Sequence, residues 1–428
     1  MLELAVLADD LTGGMIIASK LESAGVICPL VTDAEHIADL PTNATAVVLA
    51  RKIRLVGPQI ARYEAKVAGA AFAMRGAKTV YFKYSALFDS NDQGNIGPIA
   101  DALMSVTGAP RTLFCPAYLD RGVTMYQGHI FVGSTLLSES AKRLDPVRPA
   151  TTSDIVAKLR GQTRRSVGLA DRHMLNAATP SIGEALEARP DTAFWVMDAI
   201  DDADISRIAA LVRTWPLVTG GDSLPPAIVS DRRGGAAPQA GSGRRLLPQA
   251  SGHEAVIAGS CGQATRDQLC AFRQRHPVWH VDLVRDSDNP ALVETIVAWA
   301  AERLPVGPVA IATSADPAGV IEAQAKFGAE GASERADRLL AKVAVRLRDL
   351  GVGKLVIAGG ETSGEILEAL GVGRLEVARY DELFGGYCHA PGPRPMSFVL
   401  KPGSMGDPQF FFTALERLRE AERQLVEG

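Results

Sequence analysis

Two adjacent carboxylates, Asp9 and Asp10, follow the apolar run ELAVLA and stand directly before Leu11–Thr12–Gly13–Gly14. In parallel α/β sheets ligands gather beyond the carboxyl ends of strands, so one carboxylate there can act as a base and the other can hold a substrate group. The glycines and the helix start add backbone N–H donors. An Asp in front of a helix is also a common N-cap, and on residue types alone both roles stay open. A second cluster lies in YFKYSALFDSNDQGNIGPIADAL: Lys83 on a strand, Asp89 and Ser90 in the loop, and Gly94–Asn95–Ile96–Gly97 entering a helix. Lysine, carboxylate and a glycine-rich helix start together suit an anionic substrate, although loops use the same residues for turn geometry.

The second half carries three strand-to-helix glycine turns. KLVIAGG runs into Glu361–Thr362–Ser363–Gly364, IAGSCGQATRDQL holds Ser260 and Thr265, and KPGSMGDPQFF turns at Gly403 and Gly406. Unpaired N–H groups at a helix start face phosphate well, and glycine lets the backbone approach closely. None is a Walker A loop, since G-x-x-x-x-G-K-[ST] is absent, but three such turns in one domain point to a shared nucleotide pocket. Gly359 and Gly360 open the first of them. His129, set among apolar and aromatic residues, reads first as a structural hydrogen-bonder.

These residues need two scaffolds. From residue 4 to 221 short apolar runs alternate with amphipathic stretches, ELAVLA, TGGMIIASKLESAG, ATAVVLA and onward, which is the pattern of parallel α/β construction. The spacing predicts that the first sheet closes near 217–221. After a Gly-, Pro-, Ser- and Arg-rich stretch the alternation restarts at EAVIAGS, with helices predicted over 264–275 and 333–350 and an amphipathic helix at the end. The expected division is a first domain over 1–228, a linker over 229–252 and a second domain over 253–428. The fold class is α/β, two domains with largely parallel sheets and the active site expected in the cleft between them.

With 428 residues and a formal net charge of −4, the chain is sized for two cores and has no global positive field to draw it to nucleic acid or anionic lipid. Five scattered cysteines without a C-x-x-C pair read as reduced thiols, and there is no leader-like N-terminus or long apolar span, so a cytoplasmic protein is expected. A homodimer is compatible with this composition.

Taken in order, the motifs resemble the four-carbon acid sugar kinase family, and within it the 3-oxo-tetronate kinases. The resemblance spans nearly the whole chain: ADDLTG at 8–13, KYSALFDSNDQGNIGP at 83–98, the run from Cys115 to Ser140, Asp145–Pro146, GSCGQAT at 259–265, AGGETSG at 358–364 and KPGSMGD at 401–407. It implies an N-terminal domain holding the sugar acid and a C-terminal domain holding ATP. By matched position, Asp9, Asp10, Arg51, Lys83, Asp89 and Ser90 line the substrate side, and Ser260, Gly359, Gly360, Glu361, Thr362, Ser363 and Gly403 the nucleotide side. The implied reaction is ATP-dependent transfer to a terminal hydroxyl, with Mg²⁺ on the phosphates and Asp10, or else Asp89, as the base. The chain departs from the family pattern at Ala86 and Leu87, at Val123, at Ala50 and Lys52 around Arg51, and at Pro402. All but the last fall on the substrate side, which leaves open threonate, erythronate or a branched acid, or a binding protein without turnover. A dehydrogenase is disfavoured because the first βα turn is DDLTGG and not G-x-G-x-x-G.

Overall fold

The computed structural model describes residues 2–426 apart from 91–92, 145–148, 235–242, 249 and 287, with side chains up to Ala421. Asp145–Pro146 therefore lie outside the described residues. The chain divides into two compact units, Met1–Gly243 and Arg244–Gly428.

The first unit contains strands β1 (Leu4–Ala8), β2 (Leu30–Val31), β3 (Ala46–Ala50), β4 (Val80–Lys83), β5 (Thr112–Cys115), β6 (Val123–Tyr126), β7 (His129–Val132), β8 (Thr135–Leu136), β9 (Ser166–Ala170), β10 (Thr192–Met197) and β11 (Leu217–Gly220). Eight of these form a parallel sheet in the order β2-β3-β1-β4-β11-β5-β10-β9. Helices cover the faces, so β1, β3, β4 and β5 are buried along their whole length and read as unbroken apolar runs. The last strand of this sheet along the chain is β11 at 217–220, as expected, but it inserts between β4 and β5, and β9 forms the edge. Order along the chain is not order across a doubly wound sheet.

The alternation also hides a three-stranded antiparallel sheet, β6-β7-β8. Its first hairpin turns at Gln127 and Gly128, both at positive φ (50° and 74°), as a two-residue hairpin of this hand demands. Both turn N–H groups donate to the buried Asp198 carboxylate, at 2.7 and 2.9 Å.

The second unit contains β12 (His253–Ala258), β13 (Val278–His280), β14 (Val309–Ala312), β15 (Val352–Ala358), β16 (Arg374–Val377), β17 (Tyr387–Ala390) and β18 (Met396–Lys401). Their order is β13-β14-β12-β15-β18-β17-β16, parallel from β13 to β18 and antiparallel at β17 and β16. The predicted helices are observed as Gln263–Arg273 and Ala329–Asp349, and the last helix as Phe410–Val426. The described ends of the stretch expected to be a linker belong to the folded units. Its first residues finish the helix Leu224–Arg232, while Arg244 pairs with Glu376 at 2.7 Å and Leu247 is buried in the core of the second unit. Among the described residues no helix is long and apolar enough to cross a membrane.

Candidate active site

Strand register explains why the charged residues of the first unit meet. Ala8 at the end of β1 pairs with Ala50 on one side and Lys83 on the other, and Lys83 pairs in turn with Gly220. The residues just past these ends, Asp9–Asp10, Arg51 to Arg54 and Asp222, thus emerge at one level. Asp10 caps the helix Leu11–Ser23, its Oδ1 accepting from Gly13 N–H at 2.7 Å. Arg54 grips both carboxylates: Nε and Nη2 donate to Asp9 at 2.9 and 2.7 Å, and Nη1 lies 2.9 Å from Asp10 Oδ2. Burial pulls against the guanidinium charge, but Asp9, Asp10 and Asp89 hold it well above its usual range. The loop carrying Arg54 is fixed by the buried Asn95 amide, which donates to the carbonyls of Ile53 (2.7 Å), Val56 (2.9 Å) and Arg54 (3.3 Å).

Lys83 is 3% exposed, donating to Tyr84 O at 2.7 Å and lying 3.4 Å from Asp222 Oδ2. Gly13 is required here: a Cβ would stand 2.6 Å from Asp10 Oδ1 and 3.2 Å from Lys83 Nζ. Burial raises the Asp222 carboxyl above the usual range, although Lys83 opposes the shift, and its Oδ1 has no hydrogen-bond partner among the described residues. Asp89 pairs with Lys142 at 2.8 Å; burial pushes its carboxyl up, but Lys142, Ser85 and Arg54 together hold it below the usual range.

Two expected substrate residues are otherwise engaged. The Arg51 fork is committed to Glu64 Oε2, Asp33 Oδ2 and Thr32 O, each at 2.8 Å. Ser90 accepts from Gln162 Nε2 at 2.7 Å, and Gln162 Oε1 accepts from Gly97 N–H at 2.9 Å, so Ser90 ties its loop to the next helix. Arg54 and Asp222 are the residues that sequence reasoning missed. Both sit on strand exits already under scrutiny, three residues past Arg51 and two past Gly220.

In the second unit, Ala258 pairs with Ala312 and Ala358, and Ala358 pairs with Lys401, so the three glycine turns leave the sheet side by side. They interlock. A Cβ on Gly259 would meet Thr362 Oγ1 at 2.2 Å, and one on Gly403 would meet Ser260 Oγ at 2.0 Å. Gly359 adopts φ 135°, closed to ordinary L residues. Thr362 Oγ1 donates to Asp337 Oδ1 at 2.7 Å, which fixes the helix Gly360–Ala369 against Ala329–Asp349. Gly259, Ser260, Gly359–Thr362 and Gly403 line a cavity of about 660 Å³, which Asp316 and Asp337 also border. Val281, Val284, Val320 and Ala332 also line it. Glycine turns able to face phosphate and aliphatic side chains in one cavity suit a nucleotide. Ser363 is not on the cavity wall: it is 1% exposed, and its hydroxyl donates to Gly359 O at 2.7 Å. Asp337 was not foreseen, because it reaches the cavity from the middle of a long helix. Among the described residues no three His, Cys, Asp or Glu side chains gather as a metal cage.

Residues 4–228 match the family of sugar-binding N-terminal domains, and residues 255–411 that of nucleotide-binding C-terminal domains. The chain is 33% identical over 419 residues to a 3-oxo-tetronate kinase of Burkholderia multivorans, covering 97% of both chains. It is 34% identical over 425 residues to one of Pseudomonas fluorescens, again with 97% of both covered. A crystal structure from Salmonella typhimurium LT2, described provisionally as a tRNA synthase, superposes with a TM-score of 0.82 at 30% identity, covering 97% of this chain and 99% of that one. With both domain families matched in order and full-length relatives of this kind, the chain belongs to the four-carbon acid sugar kinase family, alongside the 3-oxo-tetronate kinases.

Proposed function

We propose that this kinase transfers the γ-phosphoryl group of ATP to the terminal hydroxyl of a four-carbon sugar acid, with 3-oxo-tetronate, the acid its relatives are named for, as the first candidate. The observation that carries the reading is the convergence of three glycine turns on one cavity in the second unit. The charged strand ends of the first unit supply what a sugar acid requires: cations for its carboxylate in Arg54 and Lys83, and carboxylates for its hydroxyls in Asp9 and Asp10.

Asp10 is the proposed base. Its Oδ1 is held by Gly13 N–H, so Oδ2, now paired with Arg54, is the oxygen that receives the proton. A substrate carboxylate that draws Arg54 toward itself frees this oxygen to accept a proton. The acceptor hydroxyl then gives its proton to Asp10 Oδ2 while its oxygen bonds to the γ-phosphorus and ADP departs. Phosphoryl transfer of this kind depends chiefly on positioning and charge neutralisation. Asp89, tied to Lys142, is the weaker candidate.

Mg²⁺ binds through one or two carboxylates with the rest of its shell from phosphate and water. Asp316, Asp337 and Glu361 on the cavity wall fit that sparse donor set. When bound, the ion neutralises the phosphate charge.

The test is ADP release with 3-oxo-tetronate, threonate, erythronate and a branched acid offered in turn. Turnover that depends on one acid supports the reading. ATP binding without acid-dependent ADP release from any of them would leave a binding protein on a kinase scaffold.

A further inference from the structure

The turn that brings Gly403 to the cavity is built around a buried cation. Lys401, the last residue of β18, is 1% exposed. Its Nζ donates to Pro402 O (2.8 Å), Met405 O (3.0 Å), Thr265 Oγ1 (3.2 Å) and Gly403 O (3.3 Å). Thr265 Oγ1 donates onward to Gly403 O at 3.0 Å, and Gln268 Nε2 supports the same turn through Met405 O and Asp407 O, both at 3.0 Å. Four oxygens thus surround an ammonium with three protons. In a trans peptide the N–H points opposite the C=O. With the carbonyls of Pro402, Gly403 and Met405 drawn to Nζ, the N–H groups of Gly403, Ser404 and Gly406 point away from it, and Gly403 lies on the cavity wall.

We propose that Lys401 is a positioning residue of the nucleotide site: its ammonium gathers the carbonyls of the 402–405 turn and so aims that turn's N–H groups at the phosphates of ATP. The inference rests on reading the cavity as the ATP site. An ammonium out of water is costly to the fold unless oxygens are turned to it, and here four are. Burial is the cause that pulls the Lys401 pKa down to about 8. The charged groups on the elements packed against it are turned elsewhere. Arg266 donates to Cys261 O and Gln263 Oε1, Asp267 accepts from Gln263, and Asp407 accepts from Gln409 N–H; Glu361, on the neighbouring helix, lines the cavity. The ammonium therefore answers to the turn's oxygens.

The test uses the full chain, with ATP affinity read by calorimetry and KM read for both substrates. Wild type must bind ATP; if it does not, the cavity reading fails and this inference falls with it. Lys401→Met should raise Kd and KM for ATP by about tenfold or more and leave KM for the acid within about twofold. Lys401→Arg, which keeps a charge and several donors, should recover part of the loss. Wild-type affinity should also fall as pH rises through about 8, where the ammonium is lost, and the Lys401→Met variant should show no such step. Should Lys401→Met fail to fold, Thr265→Val removes one oxygen of the cage and should weaken ATP by a few fold. A folded Lys401→Met with wild-type ATP affinity, or an unchanged Thr265→Val where the first variant does not fold, overturns the proposal.

Discussion

Arg51 and Arg54 leave β3 three residues apart, yet the fold gives them different work. The Arg51 fork is satisfied by Glu64, Asp33 and Thr32 O, whereas Arg54 spans the two carboxylates that open the first helix. Arg54→Met should raise KM for the acid by about tenfold or more and destabilise the first unit by about 1–3 kcal/mol, since Asp9 is left buried without its partner. Arg51→Ala should leave KM within about threefold. Steady-state kinetics and melting curves of both variants decide the matter, and a larger KM effect at Arg51 would return the substrate carboxylate to that residue. For Asp10→Asn, loss of the base should lower kcat by about 10²–10⁴ while acid binding is largely kept. A variant within a few fold of wild type would transfer the role to another carboxylate, with Asp89 tested next. The residue types at these strand ends were legible in the sequence, but their engagement was not. Whether a guanidinium faces Glu64 or Asp9 depends on the direction of a loop, and that direction is set from residue 95, which is 41 positions away from Arg54.

At the level of elements, the glycine turns were legible because strand, glycine and helix follow each other locally. Their interlocking was not, because Gly259 and Thr362 are brought together only by the pairing of β12 with β15. The β6-β7-β8 sheet was missed for a similar reason. Its strands are four, four and two residues long, and a buried carboxylate at Asp198 anchors the first turn from a distant strand exit. Gly259→Ala should force Thr362 aside, weaken ATP binding by about tenfold and leave the circular dichroism spectrum intact, as overpacking at a single point costs about 1–3 kcal/mol. Combining it with Thr362→Ala removes the clash. The double variant should lose less than the sum of the two single ones. Strict additivity would mean that the two turns act independently.

For the whole molecule, composition alone indicated two cores, and each unit has its own sheet. The transition between them was read as a linker because Gly, Pro, Ser and Arg dominate it; the ion pairs of Arg244 and Arg245 depend on partners more than 130 residues further on, and Leu247 packs into a core whose residues run from 256 to 418. The proposed division of labour makes a prediction for hydrogen exchange on the intact chain. ATP alone should protect 259–265, 359–364 and 401–406, while the sugar acid alone should protect 9–14, 51–56 and 83–90. Protection by ATP confined to the first unit would reverse the assignment.

On the proposed placement of the acid at Arg54, the Asn95 amide, spread across three carbonyls of the 53–56 loop, bears on any attempt to change which acid the enzyme accepts. That loop is an obvious segment to exchange with a relative of different preference, being short, contiguous and next to the charged strand ends. Its shape, however, is written partly at residue 95, beyond the borders of such a graft. A transplanted loop should adopt its donor geometry only if the donor's residue at position 95 travels with it, so the smallest portable unit of acid preference is discontinuous in sequence.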